Sequence, residues 1–389
     1  MLDEQHMTSR TRTDLLVARK EERLVAPHPP VARIHELDGL RGLLALMVVM
    51  FHLVAPFPAL RLVLEGHANI IMQAWYAVDV FFLMSGFVMM HVYGKTFTAQ
   101  PGWSTFWQFM RARVARLYPV HVVAMVALLL IMLPFIFRSS ELYAWSGRYS
   151  AGAFAGSLLM LHSPWIDYRS WNYPAWSISA EWHAYLVFPL LVPLLARLRG
   201  KGVMIAACLC VLLPYVLYQQ DLQPDQYPTN GWLVLLRVLP LFFCGMCLYA
   251  LNPVRWLAGN VAATLVVVAS LALLCLDATA PLAVLLAPGL VLATLGGNWL
   301  QALMRRPSLL FLGKISYSMY MTHALIETLM QLLVKALHRF AGIDPQSAWG
   351  LGAALWTCSI MMAVALGYGT WRFVEEPGRR WVLARVKSV

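Results

Sequence analysis

Hydrophobic positions along this chain come in long unbroken runs, not in the narrow stripes or strict alternation of a water-soluble fold. About ten of these runs approach the roughly 20 residues that a helix needs to cross hydrocarbon. They are approximately Asp38–Ala55, Trp75–Tyr93, Leu117–Phe137, Ala175–Ala196, Val203–Tyr218, Trp232–Leu251, Gly259–Leu276, Pro281–Asn298, Phe311–Leu337 and Ala348–Val374. Short polar hinges separate them. An open sheet cannot satisfy its backbone in lipid, so the pattern predicts an all-α polytopic membrane protein with a polar cavity in its bundle. A further apolar patch, Ala151–Leu161, is too short to span and reads as a re-entrant or interfacial helix.

Composition agrees, with 60% of residues hydrophobic and 13% charged. Lipid, not water, is the solvent that such a balance suits. Residues 1–33 mix acids and bases without an apolar core, which excludes a signal peptide and predicts a disordered cytoplasmic tail. Residues 34–378 form the membrane domain, and 379–389 a short basic tail. The six cysteines all fall in apolar stretches. Cys244 and Cys247 have the spacing of a redox or metal motif but no histidine or acidic neighbours, so they read as small hydrophobes and no metal site is expected.

Charge distribution orients the bundle, because Lys and Arg concentrate in cytoplasmic loops. With both termini inside, about 22 of the 30 basic residues fall on the cytoplasmic side. The loop Gln219–Gly231 carries Asp221 and Asp225 and no base, as an outer loop should. Making Ala151–Leu161 a full span would place Arg197, Arg199 and Lys201 outside and spoil the pattern. The net charge of +11 is thereby explained by topology and requires no nucleic acid.

Ionisable groups within spans are costly and normally face a cavity or a partner. The candidates are Arg41, His52, Asp79, Glu181, Arg237, His323 and Glu327. Arg41 and His52 lie three helical turns plus about 20° apart, so they share a face and stand roughly 16 Å apart along the axis. His52, Asp79 and Glu181 fall at similar depth in the outer half, where a carboxylate could orient the imidazole for general-base work. Ser177, Glu181 and Tyr185 recur every four residues and line one stripe, and Arg237 reaches the same level and could pair with a carboxylate. The competing reading is a structural ion-pair network. Arg111, Arg113 and Arg116 precede the third span as a cluster suited either to phosphate or to topological anchoring.

At several points in order along the chain the sequence resembles the bacterial membrane-bound acyltransferase family 3, multi-span O-acyltransferases that act on polysaccharides, lipopolysaccharide, Nod factors and macrolides. The segments are IHELDGLRGLLALMVVMFH (Ile34–His52), VDVFFLMSGF (Val78–Phe87), RVARLYP (Arg113–Pro119), WSISAEWHAY (Trp176–Tyr185), LGKISYSMYMTH (Leu312–His323) and RFVEEP (Arg372–Pro377). Trp182 stands where the family often carries a second acid after the glutamate.

The resemblance implies transfer of an acyl group, acetyl above all, from cytoplasmic acyl-coenzyme A as co-substrate to a hydroxyl of an extracytoplasmic or lipid-linked glycan. The setting is the bacterial plasma membrane, with lipids around the bundle and no tightly bound cofactor. On this reading Arg111, Arg113, Arg116 and Arg41 hold the phosphates, and His52 activates the acceptor or carries the acyl group, with Glu181 or Asp79 orienting it. Ser85, Ser177, Ser179, Tyr185, Arg237, Tyr317 and His323 line the cavity. The rival classes are a transporter or flippase, which alternating access would favour, and an acyltransferase for a cytoplasmic small molecule.

Overall fold

The computed structural model describes residues 32–136, 147–165, 171–220, 229, 231–252, 254, 257–276 and 278–385. The expected tail up to residue 31, the loop acids Asp221 and Asp225, Arg255 and Lys387 lie outside the described residues. The chain divides into two units, Met1–Ile34 and His35–Val389, and the second carries every element named below.

The principal helices are α1 (His35–Leu53), α2 (Pro58–His67), α3 (Trp75–Ala99), α4 (Trp103–Ile136), α5 (Ala151–Leu158), α6 (Ala175–Arg197) and α7 (Lys201–Gln220). They continue with α8 (Leu233–Leu251), α9 (Asn260–Leu274), α10 (Ala283–Thr294), α11 (Pro307–Ala336), α12 (Trp349–Thr370) and α13 (Glu376–Ala384). No strand occurs among the described residues.

Each expected apolar segment falls on a helix, and among the described residues 6 helices are long and apolar enough to cross a membrane. These are α3, α4, α6, α7, α8 and the continuous stretch Trp349–Ala384. The α9 and α10 segments are apolar but shorter. α1 and α11 are long but carry charge: Glu36, Asp38 and Arg41 open the first, and Lys314, Glu327 and Lys335 punctuate the second. Much of α1's charge is neutralised locally. Arg41 pairs with Asp38 at 3.2 Å, and Glu36 pairs with Arg305 at 2.5 Å.

Glycine sets the closest approaches. A Cβ on Gly42 would overlap the backbone at Gly313, and one on Gly313 would overlap the Asp38 carbonyl, so α1 and α11 meet backbone to backbone. Gly86 and Gly245 make the same kind of seam between α3 and α8, against the carbonyls of Phe242 and Leu83. Small residues of this kind let helices associate in lipid, where burial of apolar surface supplies no driving force. Ala45, Val49 and Leu53 of α1 pack with Met319, Ile326 and Met330 of α11 and Ala363 of α12. That apolar face anchors α1 and leaves Arg41 and His52 turned into cavities.

The short apolar patch forms α5, begun by Ser150, whose hydroxyl accepts from the Ala153 N–H at 3.0 Å. It docks on α4 rather than extending into a span. Ala153 packs with Met125 and Trp171, and a His121 ring nitrogen donates to the Ser157 carbonyl at 2.7 Å. Ser179 ties the following turn to α6: its hydroxyl accepts from the Ser163 N–H at 3.1 Å and donates to the Met160 carbonyl at 2.6 Å.

Candidate active site

Among the described residues two cavities stand out in the bundle, and α1 supplies a polar side chain to each. The first, about 460 Å³, contains His52 together with Arg148, Tyr173, Trp75, Trp176, Arg237 and Glu327. The second, about 520 Å³, contains Arg41, Arg113 and Arg116, with Ser85, Ser177, Glu181, Tyr185 and Tyr317. Among the described residues only Val78 of α3 and Tyr320 of α11 line both, so the two spaces adjoin there.

In the first cavity, His52 Nδ1 lies 2.9 Å from the Val48 carbonyl. A carbonyl oxygen only accepts, so Nδ1 carries the proton and Nε2 is the basic nitrogen. The imidazole stacks on His323 at 5.0 Å between centroids and leans on Tyr173 at 5.1 Å. His323 is fully buried, with Nδ1 donating to the Tyr320 carbonyl at 2.6 Å. The Tyr173 hydroxyl donates to the Glu327 carboxylate, and its oxygen stands 3.4 Å from His323 Nε2. Burial, and then the Glu327 carboxylate beside it, push the Tyr173 phenol well above its ordinary range. It therefore stays a donor. Arg148 lies over the Tyr149 and Tyr173 rings at 5.0 and 5.7 Å.

The carboxylates expected beside His52 are engaged elsewhere. Asp79 lines neither cavity: its Oδ1 accepts from Arg237 Nε at 2.8 Å, and its Oδ2 from the Tyr218 hydroxyl at 2.5 Å. Arg237 thus takes a carboxylate partner, as its depth suggests, and its guanidinium lies over Trp176 at 5.1 Å. Glu181 faces the arginine cavity, where one oxygen accepts from Ser85 and from Tyr185, the latter at 2.5 Å. The physical reason is rotation. The stripe Ser177–Glu181–Tyr185 does share one face of α6, but that face looks toward the middle of α3 and not toward the end of α1.

The arginines separate as well. Arg113 donates to the Tyr93 hydroxyl at 3.0 Å and lies over the Tyr93, Phe109 and Tyr185 rings at 5.2, 5.7 and 5.6 Å. Arg116 pairs with Glu375, whose other oxygen accepts from Ser318 at 2.6 Å, and lies over Tyr317 at 5.4 Å. The Tyr317 hydroxyl donates to the Leu117 carbonyl at 2.5 Å. Arg379, at the start of α13, joins this group at the cavity rim. Arg111 is exposed and lines neither cavity, and Ser179 is buried in backbone contacts away from both. Tyr320, Glu375 and Arg148 are the residues that reading along the sequence missed. A tyrosine in an apolar helix carries no distinguishing signal, although Glu375 sits in a segment already singled out.

Among curated proteins, the chain is 27% identical over 391 residues to "Acyltransferase MdmB" of Streptomyces mycarofaciens, covering 93% of this chain and 95% of that protein. It is 39% identical over 102 residues to "Protein 2 in picA locus" of Rhizobium radiobacter, covering 25% of this chain and 44% of that protein. No solved structure matches. The family model described as an acyltransferase domain, Acyl_transf_3, matches residues 34–372, and the chain belongs to that acyltransferase family.

Proposed function

We propose that the protein is an acyl-CoA-dependent O-acyltransferase of the bacterial plasma membrane, with both termini cytoplasmic, that acylates a hydroxyl of an extracytoplasmic or lipid-linked glycan. The supporting observation is the meeting of an arginine-lined cavity and a histidine-bearing cavity at Tyr320. Acyl-CoA enters the arginine cavity. Its phosphates lie among Arg113, Arg116 and Arg41, with Arg379 beside them, because guanidinium forks match phosphate oxygens. The pantetheine arm runs past Tyr185, Glu181 and Ser85, and its thioester arrives at the junction.

The acceptor occupies the histidine cavity. Trp75, Trp176 and Tyr173 offer amphipathic ring faces to a sugar. His52 Nε2 takes the proton of the acceptor hydroxyl as that oxygen attacks the thioester carbon, a general-base step worth about 10²–10⁴ in rate. Glu327, in the same cavity, stabilises the imidazolium that forms. Asp79 serves the fold as the counter-charge of Arg237.

The test is label transfer from radiolabelled acetyl-CoA into the surface glycan of membranes carrying the protein. Wild-type protein should transfer label, whereas His52→Ala should insert normally and lose at least about a hundredfold in rate. Wild-type turnover in His52→Ala removes the histidine from the chemistry. Uptake of a solute without any labelled ester would instead establish a transporter.

A further inference from the structure

We propose that the Tyr320 hydroxyl is the hydrogen-bond donor to the oxyanion formed during transfer, and that Ser177 positions it. The inference rests on the acyl-CoA reading above. An acyl group that starts on a thiol in the arginine cavity and finishes on an oxygen in the histidine cavity must present its carbonyl carbon where the two spaces meet. Among the described residues that junction is lined by Val78 and Tyr320, and only Tyr320 has a proton to offer.

The local hydrogen bonds hold that proton ready. The Pro174 carbonyl, 3.2 Å from Ser177 Oγ, can take the serine proton, which leaves Ser177 Oγ to accept from the Tyr320 phenol in their 2.8 Å contact. The ring is fixed edge-on to Phe81 at 6.3 Å and to His323 at 5.7 Å, and Tyr320 is only 6% exposed. A small rotation of the hydroxyl carries its hydrogen from Ser177 to a carbonyl oxygen at the junction, with no movement of the ring. The other hydroxyls at this depth are committed, since Ser85 and Tyr185 both donate to Glu181. A fixed donor in a site shielded from bulk water is worth far more to a developing negative charge than water would be.

The step balances as follows. The acceptor oxygen bonds to the carbonyl carbon, its proton moves to His52 Nε2, and the carbonyl π pair moves to oxygen, where Tyr320 donates to it without transferring its proton. Collapse restores the carbonyl and breaks the carbon–sulfur bond. The proton held by His52 passes to sulfur, leaving an ester and free coenzyme A.

Tyr320→Phe removes one oxygen and leaves the ring contacts. The purified protein, reconstituted with vesicles from the source bacterium lacking its own copy, is assayed with radiolabelled acetyl-CoA for both binding and initial transfer rate. Tyr320→Phe should bind acetyl-CoA as the parent does, with KM unchanged and kcat lowered about a hundredfold. Ser177→Ala should lose tenfold or less, and the double variant should be no slower than Tyr320→Phe alone. A Tyr320→Phe rate within twofold of the parent overturns this inference alone, as does a loss that lies in KM or in acetyl-CoA binding. No transfer by the parent protein overturns the acyl-CoA reading and this inference with it.

Discussion

Replacing Asp79 with asparagine keeps the shape of the Arg237 site and removes only its negative charge. Both side chains are sealed from solvent, at 0% and 1% exposure. The asparagine carbonyl still accepts from Arg237 Nε, but the amide cannot accept from Tyr218, and a buried guanidinium loses its counter-charge. Breaking a buried pair from one side costs about 3–5 kcal/mol. One hydrogen bond survives, and the rings of Trp176 and Tyr218 at 5.1 and 5.5 Å continue to favour the cation. The low end, about 3 kcal/mol, is therefore expected. For a chain of this length each kcal/mol moves the melting temperature by about 2 °C, so Asp79→Asn should melt about 6 °C lower. Asp79→Leu with Arg237→Met removes both charges and should recover most of that loss, because a buried pair and an apolar replacement are close in energy. Tryptophan fluorescence melts in detergent measure both variants, and acetyl transfer is normalised to folded protein. If Asp79→Asn melts with the parent while transfer collapses, Asp79 acts in the chemistry and the counter-charge argument is wrong.

Arg113→Ala should weaken acetyl-CoA binding at least about tenfold, the value of one charge-assisted hydrogen bond, while Arg111→Ala leaves it unchanged, both read by equilibrium dialysis. Arg116→Ala should weaken binding and also lower the melting temperature, since it strands Glu375 at 1% exposure. Glu327→Gln should lower kcat about a hundredfold at unchanged acetyl-CoA affinity, with stopped-time transfer assays as the check. Gly86→Ala forces a methyl into the Phe242 carbonyl and should cost about 3 kcal/mol, visible as loss of the monodisperse peak in size-exclusion chromatography.

The helices were legible because lipid demands long apolar runs, and the short patch at Ala151 was legible because it falls below that length. The shared face of Arg41 and His52 was legible because helical period alone decides it. Geometry within a helix does not encode how one helix is rotated against another. Glu181 and His52, similar in depth, therefore looked like partners until α6 was seen turning its stripe toward Ser85. Arg237 was recognisable as needing a carboxylate, since an unpaired cation at that depth is too costly, but the choice of Asp79 over Glu181 came from packing. Tyr320 carried no signal because tyrosine is ordinary in such helices, and its meaning lies in what stands opposite it.

The seam between α1 and α11 has a mechanical consequence. With Gly42 and Gly313 in backbone contact, the close fit resists sliding or rolling of one helix on the other, and the pair packs as one beam. His52 rides on one half of that beam, and Tyr320, His323 and Glu327 ride on the other. Motions that admit a bulky donor or release a product must then come from the helices around the beam. On the acyl-transfer reading proposed above, His52 and Tyr320 then keep their register while the surrounding helices move.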